Sequence, residues 1–290
     1  MVLGGKMGGV RWSVLAVLFA VTVINYADRA TLSLAAPLMT KELGIDPLQL
    51  GIVFSAFGWS YVIAQVPGGW LLDRFGVKRV YLCAIVLWSL FTAAQGAVVF
   101  LSGAAAITAL FLFRLMVGFA EAPSFPGNAR LVASWFPAKE RGTATAIFTS
   151  AQYFATVLFA PIMGGIIGAL GWPEVFFFMG LVGLMSGAMW AYSVHPPHRH
   201  PRITPAELDH IVAGGALQEQ VHLPQSSAAG ESRGKLRDLV LNPSMRGLYL
   251  HQFCVNALTY FFITWFPVYL VEERGMTIVE AGLLTTIPSI

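Results

Sequence analysis

Along this chain apolar residues run in blocks of about 20, and polar residues gather in short intervals between them. Seven blocks are predicted to be membrane-crossing helices, at 12–37, 48–72, 78–101, 104–126, 143–170, 173–194 and 246–271, with an eighth opening near 279. A helix of that length matches a hydrocarbon layer of ~30 Å and keeps its own backbone polar groups bonded inside it. Turn residues fall between the blocks. Pro47 opens the second, Gly171-Trp172-Pro173 parts the fifth from the sixth, and Pro267 perturbs the seventh. Small residues recur four apart in "MGGIIGAL" (163–170) and "GLVGLMSGA" (180–188), a spacing that lets helices approach closely in lipid. The first block is too long, and too well followed by others, to be a cleaved signal peptide.

One long polar stretch interrupts the series. Residues 195–245 read as a cytoplasmic linker between a six-helix transmembrane bundle (1–194) and the start of a second bundle (246–290). Within it, "TPAELDHIVAG" (204–214) has Thr204 as N-cap, Pro205 at the first helical position and Glu207 three after the cap. That order predicts a capping box and a short surface helix. His195, His198 and His200 of "HPPHRH" are dense enough to suggest a metal. Two prolines hold the backbone extended there and no carboxylate or thiol lies nearby, so the reading is a solvated linker with no metal. The chain stops at "TTIPSI" (285–290) inside an apolar segment, so the expectation is a larger architecture cut short.

Composition narrows the class. The chain is 56% hydrophobic and 11% charged, with a mean hydropathy of +0.68, which excludes an ordinary soluble domain. Its pI near 9.0 does not point to nucleic acid, because the cations sit in short loops between blocks. Of 18 Lys and Arg, only Lys41 and Arg274 fall on the side opposite the N-terminus, and Arg29 and Arg114 lie within blocks. The excess on one side predicts a cytoplasmic N-terminus. Cys83 and Cys254, both in apolar segments, read as small core residues rather than a disulfide.

Four charges sit where lipid would surround them: Asp28, Arg29, Arg114 and Glu121. On insertion scales they would together cost roughly 10–14 kcal/mol facing lipid, so they must face one another or water. Arg114 and Glu121 are two helical turns apart and share one face. A purely structural tie is the alternative, but buried ion pairs stabilise poorly against apolar residues. The planar fork of Arg suits a carboxylate, and a half-dry acid can take and release a proton. All six histidines lie in the linker or at the start of the seventh block, which argues against a membrane enzyme.

The loop "GWLLDRFGVKR" (69–79) resembles the loop signature of the major facilitator superfamily in Gly69, Asp73, Arg74, Gly76, Lys78 and Arg79. Gly69 would permit close helix approach and Gly76 a tight turn, while Asp73 could meet a neighbouring helix N-terminus. "NYADRATLSLAAP" (25–37), "FRLMVGFAEAPSFP" (113–126), "SWFPAKERGTA" (134–144) and "YFFITWFPVYL" (260–270) resemble the anion:cation symporter family, which includes bacterial sugar-acid carriers.

That resemblance implies an all-α polytopic fold whose first six helices form two inverted three-helix repeats. Spans one and four lead the repeats and line a central cavity. It implies a secondary transporter of the bacterial inner membrane, monomeric when complete and without a cofactor. The transporter would import an organic anion, such as a sugar acid, with protons, by alternating access. Asp28 and Glu121 match the proton-handling acids, and Arg29 and Arg114 the cavity arginines. Tyr61 and Gln152 match polar cavity positions, while Asn25, Tyr26, Asn256, Thr259, Tyr260 and Trp265 are weaker candidates. "APIMGG" (160–165) approaches a string found in drug/proton antiporters, but Ala160 replaces a glycine, so it reads as close packing. A proton-antiporting exporter and a non-transporting fragment or membrane subunit are the alternatives.

Overall fold

The computed structural model describes residues 8–216 and 242–285. Linker residues 217–241, with Arg233, Lys235 and Arg237, and the terminal 286–290 lie outside the described residues. Helices α1 (Val10–Leu43), α2 (Pro47–Phe75) and α3 (Val77–Gly96) form the first three spans, and a 3-10 turn, Ala97–Phe100, extends the third. α4 (Gly103–Glu121), α5 (Ser124–Trp135), α6 (Arg141–Leu170) and α7 (Trp172–Ser193) complete the bundle. The short α8 (Pro205–Ala213) follows, and α9 (Pro243–Thr264), α10 (Phe266–Glu272) and α11 (Ile278–Leu284) close the described chain. Among the described residues, seven helical stretches are long and apolar enough to cross a membrane.

Local chemistry sets the ends. α1 runs straight through Pro37 and stops at Gly44, which takes φ +66° and returns its N–H to the Thr40 carbonyl. Asp46 then caps α2 in a reciprocal box with Gln49, with Pro47 at the first helical position. The predicted fourth span differs. It halts at Glu121, turns through Ala122-Pro123 and resumes as α5, so it becomes two helices rather than one ending at 126. Pro123 and Pro126 both lack the N–H that a continuous helix needs here. The seventh span breaks at Trp265, ahead of Pro267.

In the packing, α2 lies on α4 as α6 lies on α1, α3 lies on α4 as α7 lies on α1, and α3 pairs with α7. Exchanging spans one to three with four to six maps this set onto itself, the relation of two inverted repeats. At the α2–α4 crossing, a Cβ on Gly118 would sit 2.6 Å from the Phe57 carbonyl oxygen, so only glycine permits the approach. α11 crosses α6 at the 160–165 string, where a Cβ on Gly282 would lie 2.8 Å from the Ala160 carbonyl oxygen. Two apolar clusters fill the bundle. One gathers around Met39, Phe54 and Trp172, the other around Trp88, Trp135 and Trp190.

Several expectations change. Cys83 and Cys254 are free thiols on the outer surfaces of their helices, not core residues. In lipid the outward face is apolar too, so hydrophobicity alone does not separate core from surface. The linker's first third is not a solvated strand of chain. α8 buries Ile211 and Glu207 against the bundle. Thr204 caps α8 by accepting from the Glu207 N–H. The Glu207 carboxylate, however, turns away from the box and accepts from Val10 N and Arg11 N, the first turn of α1. Those free helix N–H groups and the positive helix end outcompete the single N–H of Thr204.

Candidate functional site

The charged residues lie between the two apolar clusters, at mid-depth in the bundle. Arg29 on α1 donates from Nε to Glu121 Oε2 at 2.8 Å, with the Glu121 side chain fully buried. Glu121 is the last residue of α4, so the break at Pro123 ends the helix beside this carboxylate. Arg29 Nη2 also donates to Asn25 Oδ1, one turn earlier, at 3.3 Å. Arg114 Nη2 donates to the Arg29 carbonyl oxygen at 3.1 Å and makes no ion pair among the described residues. Rings complete the surroundings. The Arg29 guanidinium lies 4.7 Å from the Tyr26 ring centre and 4.8 Å from that of Tyr61. The Phe57 ring sits between both guanidiniums, at 5.1 Å from Arg29 and 4.9 Å from Arg114. Aromatic faces attract cations and shield them without neutralising them.

Asp28 faces elsewhere. Neighbours on a helix point about 100° apart, and its Oδ2 accepts from Thr92 Oγ1 of α3 at 2.8 Å, while Arg29 turns to α4. The structure thus gathers Arg29, Arg114, Glu121, Tyr26, Asn25 and Tyr61 at one place and sets Asp28 on its α3 side. Gln152 is half-buried on α6 and forms no side-chain hydrogen bond with the cluster. Of the weaker candidates, Tyr260 donates its hydroxyl to the Phe54 carbonyl, and Trp265 packs edge-on against Phe54 at 5.2 Å. Asn256 is exposed.

The cluster's hydrogen bonding is incomplete. Asn25 Nδ2, Arg114 Nε and Glu121 Oε1 are buried and without a partner among the described residues. Buried polar atoms are nearly always bonded, so three orphans around one buried ion pair mark a place where further polar groups can bind. Sequence reasoning missed Phe57 and Thr92. Thr92 is an inward hydroxyl on a span otherwise read as apolar, and Phe57 precedes Tyr61 by one turn, the only hint of a shared ring face.

At the end of the bundle that carries the N-terminus, Asp73 pairs with Arg130 of α5 rather than with a helix N-terminus as expected. Gly76 takes φ +80° at the α2–α3 turn. Gly69 has open space where a Cβ would lie, and the close approach belongs to Gly68, which faces Pro123 at 3.2 Å. One residue of offset turns a helix position away from the contact. Arg74 lies over the Trp70 ring at 5.3 Å, and Arg79 is exposed. A cavity of about 780 Å³ opens here among Asp73, Lys78, Arg130, Trp135 and His195, apart from the charged cluster. The His195 and His200 rings meet edge to face at 5.6 Å, and burial lowers the proton affinity of both, with Lys78 adding to the effect at His195. Among the described residues no three His, Cys, Asp or Glu side chains could hold a metal ion together.

Comparison with known proteins follows the same lines. A protein of Escherichia coli (strain K12) named "Probable galactarate/D-glucarate transporter" is 53% identical over 98% of this chain and 64% of its own length. One of the same name from Bacillus subtilis (strain 168) is 50% identical over 99% of this chain and 63% of its own. A "D-galactonate transporter" of Escherichia coli O6:H1 is 39% identical over 98% of this chain and 64% of its own. These relatives are named as transporters, not enzymes, and the chain spans less than two thirds of their length. In fold it is similar to a bacterial homolog of the human lysosomal transporter Spinster, solved inward-facing and occupied. The TM-score is 0.72 at 20% identity, over 96% of this chain and 58% of that one. It is also similar to a D-xylose-proton symporter, with a TM-score of 0.71 at 17% identity, over 96% of this chain and 65% of that one. Residues 18–290 match the Major Facilitator Superfamily, and with two inverted three-helix repeats and the 69–79 loop at the α2–α3 turn, the chain belongs to that family.

Proposed function

We propose that the protein imports a sugar-acid anion of the galactarate or D-glucarate class across a bacterial inner membrane, in symport with protons. The observation that carries this reading is Arg114. Its guanidinium is buried at mid-depth with a carbonyl oxygen and a ring for company and no carboxylate paired to it. A cation so placed is costly unless an anion joins it. A sugar acid brings a carboxylate that the guanidinium fork can bind through two hydrogen bonds, and hydroxyls for Asn25, Tyr26 and Tyr61.

Charge balance suggests the coupling. With Asp28 and Glu121 ionised, the four groups sum to zero charge, although neither acid touches Arg114. Each proton taken up by an acid leaves one positive charge for the substrate. A dicarboxylate entering with two protons then leaves the site neutral overall. Protonating Glu121 would also release Arg29 from its ion pair and free it for a substrate carboxylate. Alternating access would carry the loaded site from one face to the other, with the 69–79 loop acting as a gate at the basic end. Arg11, Arg74, Lys78, Arg79, Arg130 and Arg141 gather at that end, which supports placing it, and the N-terminus, in the cytoplasm.

The test uses the protein as its gene encodes it, in proteoliposomes loaded with neutral buffer. An acid exterior is expected to drive galactarate or D-glucarate inward above its outside concentration, and collapsing the gradient to end the accumulation. Uptake indifferent to the gradient would refute symport. Efflux against the substrate gradient, driven by proton entry, would establish the exporter instead.

A further inference from the structure

Gln95 is the last buried polar residue of α3, at 1% exposure, and neither its amide nitrogen nor its amide oxygen has a hydrogen-bond partner among the described residues. Its place in the bundle is specific. Thr92, three residues earlier on the same helical face, donates to Asp28 Oδ2. Beyond Gln95, α3 meets the start of α7, where a Cβ on Gly96 would touch the Pro173 carbonyl oxygen at 2.8 Å. At that same end Trp172 Nε1 donates to Glu42 Oε2 at 2.6 Å. A row of polar groups therefore runs from Asp28 through Thr92 and Gln95 towards Glu42, along a helix otherwise packed with apolar residues. The row leads away from Arg29 and Glu121.

A buried amide with every hydrogen-bonding position vacant is costlier than an apolar side chain of similar volume, so packing alone would not select it. Buried amides without protein partners are satisfied by ordered water, which needs two to four polar contacts. Gln95 offers two donors and an acceptor, and the Thr92 oxygen retains lone pairs after giving its proton to Asp28. We propose that Gln95 is the positioning residue of a water path that connects Asp28 with the end of the bundle where α1 stops and α7 begins. Water held by Gln95 and Thr92 passes a proton to the Asp28 carboxylate. An excess proton enters the path from the aqueous phase; as each water accepts it, one of that water's own O–H bonds breaks and a new O–H bond forms on the next, the last at the carboxylate, so no hydroxide is left. The amide holds water in line and does not itself ionise. This inference rests on Asp28 being a proton site, as proposed above.

The experiment compares Gln95→Leu with Asp28→Asn in proteoliposomes carrying the protein as its gene encodes it. Leucine fills the volume and removes an unpaired polar group, so folding is retained. Gln95→Met is read in its place if that variant fails to assemble. Gradient-driven uptake by Gln95→Leu is expected to slow about tenfold, as a lost proton-transfer step would. Substrate-for-substrate exchange and KM are expected to remain near those of the parent. Gln95→Asn, a shorter amide that still binds water, should recover part of the rate. Parent-like gradient-driven uptake in Gln95→Leu, with Asp28→Asn inactive, overturns the water path and leaves the proton site standing. Equal loss of uptake, exchange and substrate affinity in Gln95→Leu also overturns it, by showing a packing role. Full gradient-driven uptake in Asp28→Asn overturns the proton site and the path together.

Discussion

Two ionic clusters in this molecule are each built around arginine and glutamate and finished differently. In the first, at the basic end of the bundle, Arg11 donates from Nε to Glu140 at 3.1 Å and from Nη1 to Glu207 at 3.5 Å. Glu207 also accepts from two backbone N–H groups of α1, and Glu140 meets His210 Nε2 at 3.1 Å. No side-chain atom of Arg11, Glu140 or Glu207 is buried without a partner. In the second, built on Arg29, Arg114 and Glu121, Arg114 Nε, Glu121 Oε1 and Asn25 Nδ2 have no partner among the described residues. A saturated network has nothing left to bind, and it ties α1, the α5–α6 turn and α8 together. An unsaturated one has hydrogen-bonding capacity left over. The first cluster also reaches solvent through Glu140 and His210, but what separates the two at their buried atoms is satisfaction of hydrogen bonds.

The comparison breaks most visibly at Glu121. Glu121→Gln keeps the shape of the side chain but cannot release a proton, so gradient-driven uptake is expected to fall by about a hundredfold, to background. Substrate exchange in proteoliposomes should survive, and retention of full accumulation would remove Glu121 from the coupling. Next in size is Arg114→Lys, which keeps the charge and loses the two-pronged geometry. One charged hydrogen bond is worth roughly 1.5–3 kcal/mol, so substrate affinity measured by calorimetry should weaken at least about tenfold. Arg29→Lys should behave alike, whereas Arg11→Lys should leave affinity unchanged. If all three weaken binding equally, the distinction between the clusters is lost.

The saturated cluster predicts a different readout. Glu207→Gln removes the charge that three donors share and should lower unfolding stability by about 1–3 kcal/mol. The melting temperature of the purified protein would fall while KM stays constant, and a changed KM would connect this node to the substrate site. The smallest effect is expected at Gln152. Its side chain makes no hydrogen bond with the cluster, so Gln152→Leu should shift KM by about threefold or less in an uptake assay. A larger shift would show that substrate reaches α6.

Which residues would occupy these two clusters was legible in part. The four membrane charges stood out because charge is rare and costly in an apolar run, whatever the fold around it. Their arrangement was not legible. Asp28 and Arg29 are adjacent in sequence yet serve different helices, since one residue of rotation decides whether a side chain meets α3 or α4. Glu207 carried every local sign of a capping box, and its carboxylate went instead to a helix start almost two hundred residues away in sequence.

By itself, the sequence determined the features that arise within one stretch of chain. These are the existence and approximate places of the spans, the start of α2 at Pro47, the cap at Thr204, the turn at Gly76, the break near Pro267, and the presence of ionisable groups at depth. Each follows from hydropathy, backbone stereochemistry or a neighbour within four residues. Only the tertiary structure decided the pairings. These include Asp73 with Arg130, Gly68 rather than Gly69 against Pro123, the thiols on the outer surface, and the unpaired amide of Gln95 beside the Asp28–Thr92 bond. Such contacts depend on the rotation of each helix about its own axis relative to partners distant in sequence. In a chain whose lipid-facing and core-facing sides are equally apolar, hydrophobic pattern carries no record of that rotation.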